Sequence, residues 1–198
     1  MPQASPDTFS PEMIRIFKIF GFGSLFFVFV LSFFNEKRAN NTGEMDSIMY
    51  VADPERIYFK NLRASHYDIE GRNDAKMNLY RHGKREKSDS QPHLNFMILL
   101  NRVKNEAYIY AEPFPESLPL KIKWINSDSG ESGELEFQGG NKFAHFEFAE
   151  QIYPKLIENT YFEMWHNEDW VPILTEGPER DAVKVTLVDF YRLINNPK

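Results

Sequence analysis

Cysteine occurs nowhere in the 198 residues. Its absence removes disulfides, thiolate metal sites and cysteine nucleophiles together, and leaves the redox compartment open. An excess of positive charge is missing too. With 23 Lys and Arg against 29 Asp and Glu, the formal net charge is -6. No overall positive field exists to hold a phosphate backbone, so a dedicated nucleic-acid binder is not expected. Phosphate-cradling glycine loops of the P-loop and G-x-G-x-x-G kinds are lacking, and Ser65, Ser88, Ser90, Ser117, Ser127, Ser129 and Ser132 have no G-x-S-x-G context. The sequence therefore assigns no catalytic residue, no cofactor and no identifiable small-molecule substrate. What the chain has in quantity is aromatic side chains, 15% of residues with 18 Phe, in a composition 42% hydrophobic and 26% charged that suits a folded protein.

The second feature present is one long apolar run. From Ile16 to Phe34 the sequence IFKIFGFGSLFFVFVLSFF carries a single charge, Lys18, in 19 residues. At about 1.5 Å per residue this makes roughly 28 Å of helix, against a hydrocarbon core of about 30 Å. Lys18 sits one turn inside the amino end, where its stem can lift the ammonium to the headgroups beside Arg15. Apolar residues cover every face, without the polar stripe of a soluble helix. Cleavage as a signal peptide requires small residues after the run, and Phe33-Phe34-Asn35-Glu36-Lys37 has none. Residues 15–38 accordingly read as a retained transmembrane signal anchor. Residues 1–14, with Pro2, Pro6 and Pro11, read as a flexible tail, residues 39–46 as a polar linker, and residues 47–198 as a β-rich domain.

Charge does not orient the anchor, because Arg15 and Lys18 before it balance Lys37 and Arg38 after it. The free amino terminus, and the ease with which long domains are exported, favour a cytoplasmic amino end and an extracytoplasmic domain. Gly21, Ser24, Val28 and Ser32 recur at spacings of three and four among Phe-rich neighbours. Small residues let a second transmembrane helix approach, which makes this stripe a candidate face for other integral-membrane subunits. From Ala39 onward the chain holds 19 basic and 26 acidic residues, net -7, so anionic lipid repels the domain on average and its tether is the helix.

Within the domain, strand patterns dominate. Runs at Ile48–Val51 and Ile57–Phe59, parted by Asp53-Pro54, predict two strands, and Met77–Arg81 a third. Leu94–Leu100 is apolar at nearly every position, as a central strand covered on both faces would be, and forms a hairpin with Ala107–Ala111. Leu120–Ile125 and Glu134–Phe137 alternate, and Gly139-Gly140-Asn141 predicts a hairpin turn into a strand at Lys142–Phe146. Ala149–Ile157 has helical spacing, with Pro154 expected to kink or split it. Tyr161–Trp165 and Trp170–Leu174 predict a hairpin with paired indoles, the second strand placed at an edge by Pro172. The end predicts a short strand through Val185 and a helix over Leu187–Asn195. The sum is an α+β fold: one transmembrane helix, then a mainly antiparallel, sandwich-like domain with two helices in its later half.

Residues with chemical potential are few. His145, Glu147 and Glu150 mix imidazole and carboxylate in a loose zinc-like pattern, though a polar strand edge above a Phe cluster explains them better. His166, Glu168 and Asp169 share one tight turn, too wet to shift a carboxylate toward catalysis. Arg72, Lys76, Arg81, Lys84, Arg85 and Lys87 oppose only Asp74 and Glu86, a local net of +4 that is a candidate patch for lipid phosphates or an acidic partner. The anchor, the small-residue stripe and the lack of catalytic signatures together point to a single-pass accessory protein of a larger membrane complex. The alternative is a membrane-anchored enzyme or ligand carrier, its site near His145, Glu147 and Trp124.

Overall fold

A computed structural model describes residues 10–33, 48–175 and 177–195. Residues 1–9 of the expected tail, 34–38 of the anchor and the whole of the linker at 39–46 lie outside the described residues. The chain divides into two compact units, residues 1–40 and 41–198.

The first unit is one helix, α1 (Pro11–Phe33), about 34 Å long at 1.5 Å per residue. It starts four residues before the expected boundary for a local reason. The Ser10 hydroxyl accepts the Met13 N–H at 3.2 Å, Pro11 has no N–H to leave unsatisfied in the first turn, and Glu12 lies at the positive end of the dipole. An 18-residue stretch within Pro11–Leu31 has a mean hydropathy of 2.0 and none of its residues is buried, so the helix is long and apolar enough to cross a membrane. Phe20 is 78% and Phe22 71% exposed.

The second unit is α+β, with eight strands in two antiparallel sheets. The first sheet orders β1 (Tyr67–Arg72), β2 (Met77–His82), β3 (His93–Asn101) and β4 (Ala107–Phe114) as a meander. The second has β5 (Leu120–Asn126), β6 (Ser132–Phe137), β7 (Thr160–His166) and β8 (Asp169–Ile173) in the order β6-β5-β7-β8. As the apolar run predicts, β3 lies inside its sheet, and its Leu100 faces Ala107 at the start of β4. Trp165 and Trp170 are direct cross-strand partners with centroids 5.3 Å apart, and Pro172 is on the edge strand β8.

Four expected strands, at Ile48–Val51, Ile57–Phe59, Lys142–Phe146 and through Val185, do not form, and helical segments stand there instead. Ile57–Phe59 is not a strand: α2 (Asp53–Tyr58) runs into a π-helical turn, Phe59–Arg63, and a 3-10 turn, Ala64–His66. Asp53-Pro54 begins this helix rather than a turn, with Pro within its first two positions and acidic residues in its first turn. Upstream, Ile48 and Met49 form a short 3-10 segment, and Tyr50 makes only an isolated bridge to Glu106. Lys142–Phe146 is the start of α3 (Lys142–Ile157), not a strand, because the Asn141 side chain caps the N–H groups of Phe143 and Ala144. The helix continues through Pro154 without splitting. Finally, the end is one helix, α4 (Pro178–Leu193), with no strand through Val185. Its buried residues Val183, Leu187, Phe190 and Tyr191 follow helical spacing, which overrides the short alternation.

Packing follows from sheet parity. Tyr80, Phe96, Ile98, Leu100, Ile109 and Ala111 share one face of the first sheet, and α3 and α4 cover it. Phe148 of α3 stands between Phe96 of the first sheet, 6.1 Å away, and Phe137 of the second, 4.6 Å away. One apolar cluster therefore runs from sheet to sheet through α3.

Candidate functional site

Arg72 and Arg81 of the basic run meet His145 around one cavity on the opposite face of the first sheet. By register, Arg72, Leu79, Arg81, Met97, Tyr110 and Glu112 all point away from α4. Most of the charge there is already matched. Arg72 is paired with Asp74 at 2.8 Å, which holds that exposed carboxyl at about 2. Arg85 and Lys87 share Asp68 at 2.6 and 3.0 Å, and these hydrogen bonds, that of Arg85 foremost, lower its carboxyl as well. Arg81 donates from Nε to both Glu112 oxygens, at 2.8 and 3.0 Å, and from Nη1 to Glu70 at 2.7 Å. Among the described residues Lys76 and Lys84 enter no ion pair. The local +4 of the sequence is thus largely countered by carboxylates from β1 and β4, beyond the run itself.

His145 is 7% exposed on the first turn of α3. Its ring stacks on Tyr110 with centroids 3.8 Å apart and meets Phe137 at 4.8 Å. Nδ1 accepts the Ala111 N–H at 3.1 Å, an edge donor of β4 that the sheet leaves unused. That bond puts the ring proton on Nε2 in the neutral form, and burial holds the pKa below that of free imidazole. A neutral ring whose one lone pair is spent in this way can donate a hydrogen bond but has no pair with which to act as a general base. The cavity beside it, about 510 Å³, has Leu79, Met97, Leu118 and Phe137 as apolar lining and Arg81, Glu112 and Arg72 as polar lining.

The structure separates the other residues linked to His145 by sequence. Glu147 is exposed, about 200° further round the helix, because this segment is α-helical and not a strand. Trp124 lies on the second sheet, with Lys155 Nζ 4.5 Å over its ring and Gly133 against its indole. No group of three or more His, Asp or Glu among the described residues is placed to hold a metal ion. His166, Glu168 and Asp169 belong to the β7–β8 hairpin, where Asn167 and Glu168 have φ of 51° and 64°, the left-handed pair of a two-residue turn.

No family model, no curated protein and no solved structure matches this chain.

In α1, Gly21, Ser24, Val28 and Ser32 fall within an arc of about 80° on one helical face, at 100° per residue. The Ser24 hydroxyl turns back to the Gly21 carbonyl at 3.0 Å, which satisfies it without a partner chain. Sequence reasoning missed Tyr110, Phe137 and Glu112 as neighbours of His145. The signal within reach was Asn141 before an apolar period, a helix start that would have placed His145 on the first turn.

Proposed function

We propose that the chain is a single-pass membrane protein whose β-rich domain docks on or stabilises a larger membrane complex, as an accessory subunit. The observation that carries this reading is α1, which holds an 18-residue stretch of mean hydropathy 2.0 with no buried residue. Such a helix needs lipid or other helices around it. The stripe Gly21, Ser24, Val28 and Ser32 offers the close approach that integral-membrane subunits use. The amino end is cytoplasmic and the domain extracytoplasmic. Within the domain, the spent lone pair of His145 weighs against the enzymatic alternative, while the cavity beside His145 and Arg81 supports a ligand-carrier role as the second reading.

The test is extraction of the full-length protein in a mild detergent, followed by size determination of the purified particle. The accessory role expects stoichiometric co-purifying membrane subunits, lost on Gly21→Leu and Ser24→Leu substitution. A monomeric particle with no companion refutes it. For the second reading, His145→Ala that reproduces the deletion phenotype supports a site there, and a silent substitution removes it.

A further inference from the structure

A second cavity of about 650 Å³ opens between α2 and the carboxyl-terminal half of α4, away from His145. Glu55, Tyr58, Tyr153, Val188, Tyr191 and Arg192 line it, so its walls are largely phenol rings and aliphatic carbon. Tyr153 and Tyr191 meet edge to face with centroids 5.1 Å apart. Set in this wall is a carboxylate oxygen that no described residue completes. Glu55 Oε2 is buried with no hydrogen-bond partner among the described residues. An acidic oxygen withdrawn from water and left unpaired is costly, and native proteins rarely leave one without a function or a bound donor.

The cation that lines the same cavity, Arg192, does not resolve it. The Arg192 guanidinium lies 3.8 Å over the Tyr58 ring, and no ion pair with Glu55 exists among the described residues. The ring has taken the guanidinium and the carboxylate remains. Tyr191 feels negative potential here as well: burial first, then Glu150, push its hydroxyl above the ordinary range. These features select the guest. An anion would sit against the Glu55 carboxylate, and a neutral apolar guest leaves the buried Oε2 without a donor. A compact ammonium with N–H donors satisfies the carboxylate, and its apolar body rests against rings whose negative faces favour a cation.

We propose that this cavity binds a primary alkylammonium group on a short apolar body, with Glu55 as its counter-ion and Tyr58, Tyr153 and Tyr191 as its walls. The same group occurs on free amines and on the ethanolamine headgroup of phospholipids.

The experiment uses the full-length protein in phosphatidylcholine nanodiscs, whose headgroups carry no N–H donor, titrated with phenethylammonium and, separately, with phenethyl alcohol. Ligand-observed NMR reads the binding. Saturable amine binding is expected, with the alcohol at least about tenfold weaker and Glu55→Gln weakening the amine by a similar factor. Exchanging half the lipid for phosphatidylethanolamine separates the sources: a loss of apparent amine affinity assigns the site to the headgroup, and no change assigns it to a free amine. Equal binding of amine and alcohol, full affinity in Glu55→Gln, or no saturable amine binding each overturns the proposal. If Glu55→Gln fails to fold, the amine and alcohol comparison on the unaltered protein decides.

Discussion

Arg180 closes the end of a helix that it does not belong to. From α4 its guanidinium donates to the carbonyls of Leu156, Glu158, Thr160 and Leu174, at 3.0, 2.8, 2.6 and 3.3 Å. The last carbonyls of α3 have no intrahelical donor, and a buried chain end without one is unfavourable. Arg180→Met keeps the aliphatic stem and removes the donors, and is expected to cost about 2–4 kcal/mol in a denaturant titration. Asp189 has a comparable part, 5% exposed and accepting from Arg63 Nε at 2.8 Å and from the Tyr67 hydroxyl at 2.7 Å. The histidines set the acid limit. His82 and His145 are both buried, burial lowers both pKa values, and each spends Nδ1 on a backbone N–H, of Lys84 and Ala111. Because the fold favours their neutral forms, this stability is complete above about pH 6.5 and is lost as pH falls through the lowered folded values. The unfolding midpoint should therefore drop between pH 7.5 and pH 5, and His145→Gln, which keeps an acceptor and removes the titration, should flatten that drop.

At the scale of elements, strands were legible and helix starts were not. The hairpins β3–β4 and β7–β8 and the alternation of β5 and β6 showed in the sequence because alternation and turn residues are local signals, whereas β1, paired with β2 across a short turn, was not read as a strand. The missed elements share a different cause. Ile57-Tyr58-Phe59, Phe143 to Phe146 and Val183 to Val185 are β-branched or aromatic runs that favour strands by propensity, yet the Asn141 cap of α3, proline at the start of α2 and of α4, and packing of the helices make them helical. The same cause hid the candidate site. His145 stood out by type but was assigned to a strand, so its expected companions were Glu147 and Trp124, when a helix start brings it to Tyr110 of β4. Arg81 stood out by charge, and its carboxylate partners on other strands were invisible along the chain. Pro154 gives a direct check at this level. It is exposed inside a continuous α3, where it removes one helical hydrogen bond, so Pro154→Ala should stabilise the domain by about 1–3 kcal/mol, read as a raised melting temperature.

The whole molecule joins a net-acidic domain to a helix long and apolar enough to cross a membrane. Orientation follows from labelling, since the chain has no cysteine to give background. Single substitutions Ser5→Cys and Ser129→Cys, treated in intact cells with a membrane-impermeant maleimide, should label at 129 and not at 5; the reverse pattern inverts the topology. The most direct measurement precedes that one. Membranes holding the full-length chain are washed in alkaline carbonate, alongside a variant with Phe22, Leu25, Phe26 and Phe29 changed to Asp. The unaltered protein should remain in the pellet at full length, with the variant in the wash. Release of the unaltered chain into the wash, or a mature product trimmed after Phe34, would contradict the membrane-anchored reading.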